Sequence, residues 1–144
     1  MPLEVMEHFN IRASDMEATK KFYCDVLGMR VGERPPFDFP GYWIYLGDTA
    51  CVHLTSADSS PEMEDYTGPK EGKSVGSGAI DHIAFRGSDV REFVVRASTH
   101  EAEMIHRKVP AFDIHQIFMK DPDGITIELN FRGEDAKEFD PDGP

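Results

Sequence analysis

His8-Phe-Asn-Ile-Arg-Ala-Ser-Asp-Met16 returns 74 residues later as His82-Ile-Ala-Phe-Arg-Gly-Ser-Asp-Val90. Four of the nine positions are identical: the histidine, the arginine, the serine and the aspartate. Each copy alternates apolar and polar residues and then offers a helix start, so each reads as a strand running into a helix. In residues 4–12, Val5, Glu7, Phe9 and Ile11 share one side and Met6, His8, Asn10 and Arg12 the other. Ser14-Asp-Met-Glu17 fits a capping box, and Ala18, Phe22, Tyr23, Val26 and Leu27 form a helical stripe that stops at Gly28. A duplicated strand that carries a histidine each time predicts two copies of one module, each giving a ligand to a shared metal.

The ends of the modules extend the pattern. After a Pro-rich loop from Gly32 to Gly41, the runs Tyr42–Leu46 and Ala50–Thr55 read as strands joined by a turn at Gly47-Asp48-Thr49. In the second module Val90, Phe93, Val94 and Ala97 share a helix face. An irregular stretch around Pro110 follows, and strands 114–120 and 125–131 flank the turn Asp121-Pro-Asp-Gly124. Val52-His53-Leu54 closes the first module and Ile127-Glu128-Leu129 the second. Parity places Phe9, Ile11, Val52, Leu54, Ile83, Phe85, Ile127, Leu129 and Phe131 on one sheet face. His8, His53, His82 and Glu128 fall on the other. A polar face can simply be wetted. Imidazoles with a carboxylate, and coordination positions left over, are also how proteins hold catalytic divalent metals.

Composition narrows the function. The chain has 144 residues, 15 Lys plus Arg against 27 Asp plus Glu, and a formal net charge of −12. That acidity disfavours nucleic acid and anionic membrane as partners. No apolar run approaches the roughly 18 residues of a membrane span, and the first residues show no signal-peptide pattern. Two cysteines, Cys24 and Cys51, read as reduced thiols, so the expected location is cytoplasmic. The expected organisation is a single domain over 1–132, with module one at 1–56, a polar linker at 57–78 and module two at 79–132. An acidic, mobile tail would follow at 133–144.

Four segments carry a family resemblance: His8 with Ser14-Asp15, Phe22-Tyr23 ahead of Leu27-Gly28, His82 with its repeat, and Phe118-Met-Lys-Asp-Pro-Asp-Gly-Ile-Thr-Ile-Glu128. With these the chain resembles the vicinal oxygen chelate superfamily. That group includes glyoxalase I, methylmalonyl-CoA epimerase, fosfomycin-resistance transferases, extradiol dioxygenases and bleomycin-resistance proteins. The resemblance implies an α+β fold of two tandem βαβββ modules forming a cupped, incomplete barrel. It also implies one divalent metal ion (Fe, Mn, Ni, Co or Zn), held by His8, His82 and Glu128.

His53 departs from the family pattern, because its place holds glutamate in glyoxalase I and glutamine in the epimerases. Two readings stay open: a fourth ligand, or a residue behind the metal that hydrogen-bonds substrate or acts as base. The extradiol dioxygenase pattern is incomplete, since Val109, Pro110 and Ala111 stand where its catalytic histidine falls and Phe118 where its tyrosine does. His115 is expected to face away from the site, with Gln116 and Phe118 facing in. Trp43 and Tyr45 alternate beside His53 and, with Gln116 and Phe118, are the expected substrate-pocket residues. His53 and Glu128 are the expected catalytic pair. The reading is a metal-dependent lyase or isomerase acting on a small oxygenated metabolite, in a homodimer that binds neither nucleic acid nor membrane. The alternatives are a non-haem Fe(II) dioxygenase and a non-catalytic small-ligand (antibiotic) binder.

Overall fold

The computed structural model describes residues 4–58, 60–67, 75–78, 80–137 and 140, and its architecture is α+β. The chain gathers into two compact units, one of residues 1–24 with 28–74 and the other of 25–27 with 75–144. Among the described residues no helix is long and apolar enough to cross a membrane.

The first unit runs β1 (Phe9–Ala13), α1 (Met16–Lys21), β2 (Arg30–Gly32), β3 (Gly41–Leu46), β4 (Thr49–Ser56) and α2 (Pro61–Thr67). Its sheet has the order β1-β4-β3-β2. β1 lies parallel to β4, while β3 is antiparallel to β4 and to β2. The second unit repeats the plan with β5 (Ile83–Arg86), α3 (Val90–Thr99), β6 (Ile105–Val109), β7 (Ile114–Lys120), β8 (Thr126–Arg132) and α4 (Glu134–Lys137). Its sheet order, β5-β8-β7-β6, is that of the first unit moved along the chain. Both units therefore carry the βαβββ order, in which a helical crossover lets the first strand pair in parallel with the last.

The apolar parity face fills each core. Ile11, Ile44, Val52 and Leu54 are buried in the first unit, and Ile117, Ile127, Leu129 and Phe131 in the second. In the second unit α3 lays Val90, Phe93 and Ala97 inward, with the Phe93 ring 6.0 Å from that of Phe131. Gly87 makes room for this packing: a Cβ there would meet the Phe131 ring at 2.7 Å.

Several local expectations are corrected. The cap of α1 is Asp15 rather than Ser14, with its carboxylate accepting the Ala18 amide at 3.1 Å. Glu17, the acidic residue of that motif, bonds Tyr42 and Lys20. Asp89 caps α3 in the same way by accepting from Glu92, so the shared aspartate of the two phrases is the cap in both. The first helix also ends early as α-helix: Phe22–Val26 widen into a π turn before Gly28 turns the chain at φ 80°.

β1 and β5 begin one residue after their histidines, because the parallel ladders open at Phe9↔Val52 and Ile83↔Ile127. His8 and His82 therefore precede the strands instead of lying at their centres. Two strands of the expected βαβββ plan lie where the residue pattern marks none. β2 is three residues long and ends at a glycine, and β6 carries His106, Arg107 and Lys108, the charged dress of a sheet edge.

The expected linker contains α2, which begins at a sequence signal: Ser60 accepts the Met63 amide and Pro61 stands at the first helical position. Met63 is buried beneath it. The expected mobile tail begins as a bound helix, since Asp135 of α4 accepts the Val90 amide at 2.9 Å and Ala136 is buried. The rest of that tail expectation falls at 138–139 and 141–144, outside the described residues.

Candidate metal centre

In the second unit the candidate ligands lie at the end of a line of hydrogen bonds. Gln116 Nε2 donates to Asn130 Oδ1 at 3.1 Å, and Asn130 Nδ2 donates to Glu128 Oε2 at 2.8 Å. The other carboxylate oxygen, Oε1, stands 3.6 Å from His82 Nε2. His82 Nδ1 is held by Asp81 at 2.8 Å, which leaves Nε2 as the nitrogen turned toward the carboxylate. Two ligands about 2.1 Å from one ion at a tetrahedral angle are about 3.4 Å apart. The His82–Glu128 spacing of 3.6 Å is close to that value. The Asp81 carboxylate also raises the His82 pKa above the ordinary histidine value.

The first unit repeats one part of this. Glu7, the residue before His8, bonds His8 Nδ1 at 2.8 Å, as Asp81 does for His82. His8 thus also keeps Nε2 for a ligand. A carboxylate on the remote nitrogen fixes the tautomer and ring direction of a metal-binding imidazole.

His53 is placed differently. Its ring lies between those of His8 and Trp43, with centroids at 3.8 and 4.1 Å and both pairs within 12° of parallel. It is 6 % exposed, so it is not a solvated sheet residue. The ligand lone pair of an imidazole lies in the ring plane. An ion in the plane of His8 would sit well out of the plane of His53, so the stacked rings are not arranged to share one. His53 Nε2 donates to the Ala50 carbonyl at 2.9 Å, leaving Nδ1 as the acceptor. Burial, reinforced by the charge of His8 and, more weakly, of Arg34, lowers the His53 pKa and favours the neutral ring.

The expected pocket residues divide between the units. Trp43 pairs with His53 and Phe118 with Glu128, each across an antiparallel ladder. Trp43 and Tyr45 line an open pocket of about 520 Å³ with Glu33, Arg34 and Pro35. Arg34 was missed in sequence, because a lone arginine in a Pro-rich loop carries no pattern. Gln116 belongs to the Asn130–Glu128 line, and His115 is fully buried on the opposite parity, as expected. Neither Cys24 nor Cys51 is in a disulfide, and burial pushes the Cys51 pKa up, away from nucleophilic use. Among the described residues no group of three or more His, Cys, Asp or Glu side chains forms a ready-made metal cage.

The family model described as Glyoxalase/Bleomycin resistance protein/Dioxygenase superfamily matches residues 5–129. The uncharacterized protein YaeR of Escherichia coli (strain K12) is 26 % identical over 131 residues, covering 88 % of this chain and 95 % of YaeR. A probable lactoylglutathione lyase of Vibrio parahaemolyticus is 28 % identical over 130 residues, with 85 % and 86 % covered. Among solved structures, the fosfomycin resistance protein FosX from Listeria monocytogenes aligns with a TM-score of 0.66 at 15 % identity, over 94 % of this chain and 98 % of that one. At that identity the likeness speaks for the fold.

Proposed function

The chain belongs to the Glyoxalase/Bleomycin resistance protein/Dioxygenase superfamily, and from that premise we propose that it is a divalent-metal-dependent enzyme of lyase or isomerase type. Its substrate would be a small metabolite presenting two adjacent oxygens. The proposed ligands are His8 of the first unit with His82 and Glu128 of the second, in a homodimeric protein. The observation that carries the reading is the line Gln116–Asn130–Glu128–His82–Asp81. It orients a carboxylate oxygen and an imidazole nitrogen toward each other at a spacing that suits one ion.

The ion (Fe, Mn, Ni, Co or Zn) would act as a Lewis acid toward the two substrate oxygens, stabilising negative charge that develops on them. The protein's own residues do the rest. Asp81 and Glu7 hold the histidine rings by their remote nitrogens, and Asn130 holds Glu128 by the oxygen turned away from His82. His53 is proposed as a base rather than a ligand. With its Nε2 proton committed to Ala50, Nδ1 is the atom that takes a proton from substrate and returns it. Glu128 is the second proposed proton-handling group.

Elemental analysis of the purified protein and of His8→Ala, His82→Ala and Glu128→Ala tests the site. About one divalent ion per chain in the parent and a marked loss in each variant support it; full retention in all three overturns it. Oxygen uptake during turnover, with a requirement for Fe(II), would replace the lyase reading by the dioxygenase one.

A further inference from the structure

The open face of the second sheet is basic in an acidic chain, and the strand register fixes which side chains share it. Arg86 of β5 pairs with Asn130 of β8, Asn130 with Gln116 of β7, and Gln116 with Arg107 of β6, so these four form one row across the sheet. The next row is Ala84, Glu128, Phe118 and Ile105. Arg132 follows Asn130 by two residues on β8, and Lys120 follows Phe118 by two on β7, which puts both on this face as well. The opposite parity carries the buried residues Ile117, Met119, Ile127, Leu129 and Phe131, so the row of arginines is turned away from the core of this unit.

Four cations thus stand on these strands against the single carboxylate of Glu128, in a chain of net charge −12. Lys120 is bonded to the Thr126 hydroxyl. Arg86, Arg107 and Arg132 are exposed, and among the described residues none of their guanidinium groups is in an ion pair, a hydrogen bond or a ring contact. Asp81 is taken up by His82 at 2.8 Å and Asp113 by Lys137 at 3.8 Å, while Glu103 precedes β6 by two residues. Neighbouring strands lie about 4.8 Å apart, so Arg86 and Arg107 leave the backbone about 14 Å from each other. Arg132 lies about 7 Å from their row along β8, and Glu128 about 7 Å from it in the other direction. That spread is wide for a single oxyanion and suits a ligand with two or more anionic groups, each met by a guanidinium fork. Phe118 and the exposed Ile105 offer apolar surface beside Glu128.

We propose that this face of the second sheet binds the anionic part of the substrate, and that the substrate is a small acid with two or more negative charges apart from its metal-binding oxygens. Arg86, Arg107 and Arg132 are its specificity residues. The inference rests on the reading that Glu128 and His82 face substrate, and it adds the substrate's charge to that reading. Anion binding here needs no metal, so the test uses chelator-treated protein.

Calorimetric titration with inorganic pyrophosphate, propane-1,2,3-tricarboxylate and acetate compares the parent with Arg86→Gln, Arg107→Gln and Arg132→Gln. Arg96→Gln is the control, on α3 where Arg96 pairs with Glu92. The parent is expected to bind at least one of the two polyanions about ten-fold more tightly than acetate, with the advantage shrinking at high salt. Tighter pyrophosphate assigns phosphate groups and tighter tricarboxylate assigns carboxylates; either supports the proposal. Each of the three arginine variants should lose about three- to ten-fold in polyanion affinity, and Arg96→Gln should keep it. A parent that binds acetate as tightly as both polyanions overturns the proposal, as does an equal loss in Arg96→Gln or no loss in any of the three. Where a glutamine variant fails to fold, the lysine variant at that position should keep part of the affinity. A dimeric parent whose three variants sediment as monomers with polyanion binding intact would give this face to a second copy and overturn the proposal. Metal in the parent without any polyanion preference removes this inference alone. Polyanion selectivity in a protein that never takes up metal leaves the basic face and removes the metal-enzyme reading.

Discussion

His53 and Glu128 occupy the same place in the two sheets. Each pairs across a parallel ladder with the residue two beyond its module's histidine, His53 with Asn10 and Glu128 with Ala84. Each also faces an aromatic across the antiparallel ladder, Trp43 for one and Phe118 for the other. One backbone position thus holds an imidazole in one copy and a carboxylate in the other. Their surroundings have diverged with them. The imidazole is packed between rings, while the carboxylate is held by an amide and turned to a histidine.

If the stack excludes His53 from the metal, His53→Ala leaves the metal content at the parent level and changes the emission of Trp43, its stacking partner. Elemental analysis and fluorescence on one sample check both. Loss of metal in this variant would make His53 a ligand after all.

Asn130 fixes the orientation of Glu128, so Asn130→Ala should weaken metal binding about 10–100-fold, the usual effect of removing such a partner. Gln116→Ala, one step further along the line, should cost less. Competition with a chromogenic chelator measures both. Equal affinity in the Asn130 variant and the parent would separate the hydrogen-bond line from metal holding.

His115 sets an acid limit on stability. It is fully buried on β7 and bonded to His106 at 2.9 Å. Burial, then the charges of His106 and Lys108 and against the opposing pull of Asp135, lowers its pKa from 6.5 to about 4. The unfolded chain takes up this proton below about pH 6.5 and the folded one only near 4. Its stabilising contribution is therefore complete above 6.5 and falls as pH drops toward 4, by up to about 3 kcal/mol. Urea midpoints at pH 7.5 and 4.5 should differ more in the parent than in His115→Gln; equal differences would count against the burial account.

Gly41→Ala should destabilise the first unit, because the new Cβ would stand 2.6 Å from the Leu54 carbonyl oxygen. Relief requires β3 or the Arg34 loop to shift, at about 1–3 kcal/mol. A lower urea midpoint is the expected result. An unchanged midpoint would show that the backbone yields freely there.

The repeated phrase and the period-two faces made much of this fold legible in sequence. Ile11, Val52, Leu54, Ile127, Leu129 and Phe131 are buried on the side that alternation assigns them. Short edges were not legible. β2 has only Arg30, Val31 and Gly32 to announce it, and the charges of β6 look like loop. Alternation also could not reveal that His53 is covered, since the covering rings of His8 and Trp43 come from before β1 and from β3. Ser60-Pro61 was a readable helix start, obscured by the polar residues around it. Arg34 needed three dimensions, because what marks it is its setting among Phe37, Phe39 and Gly41.

The Asp135 carboxylate on the first amide of α3 has a consequence for where the second unit is closed. The matched family region stops at residue 129 and β8 at Arg132, yet the second unit is closed by a short helix beyond both. That helix also offers the Ala136 carbonyl to Lys108 of β6 at 3.1 Å. It pins together a helix start and a sheet edge that are far apart in sequence. A chain trimmed to the family boundary would keep every proposed ligand and lose the clasp.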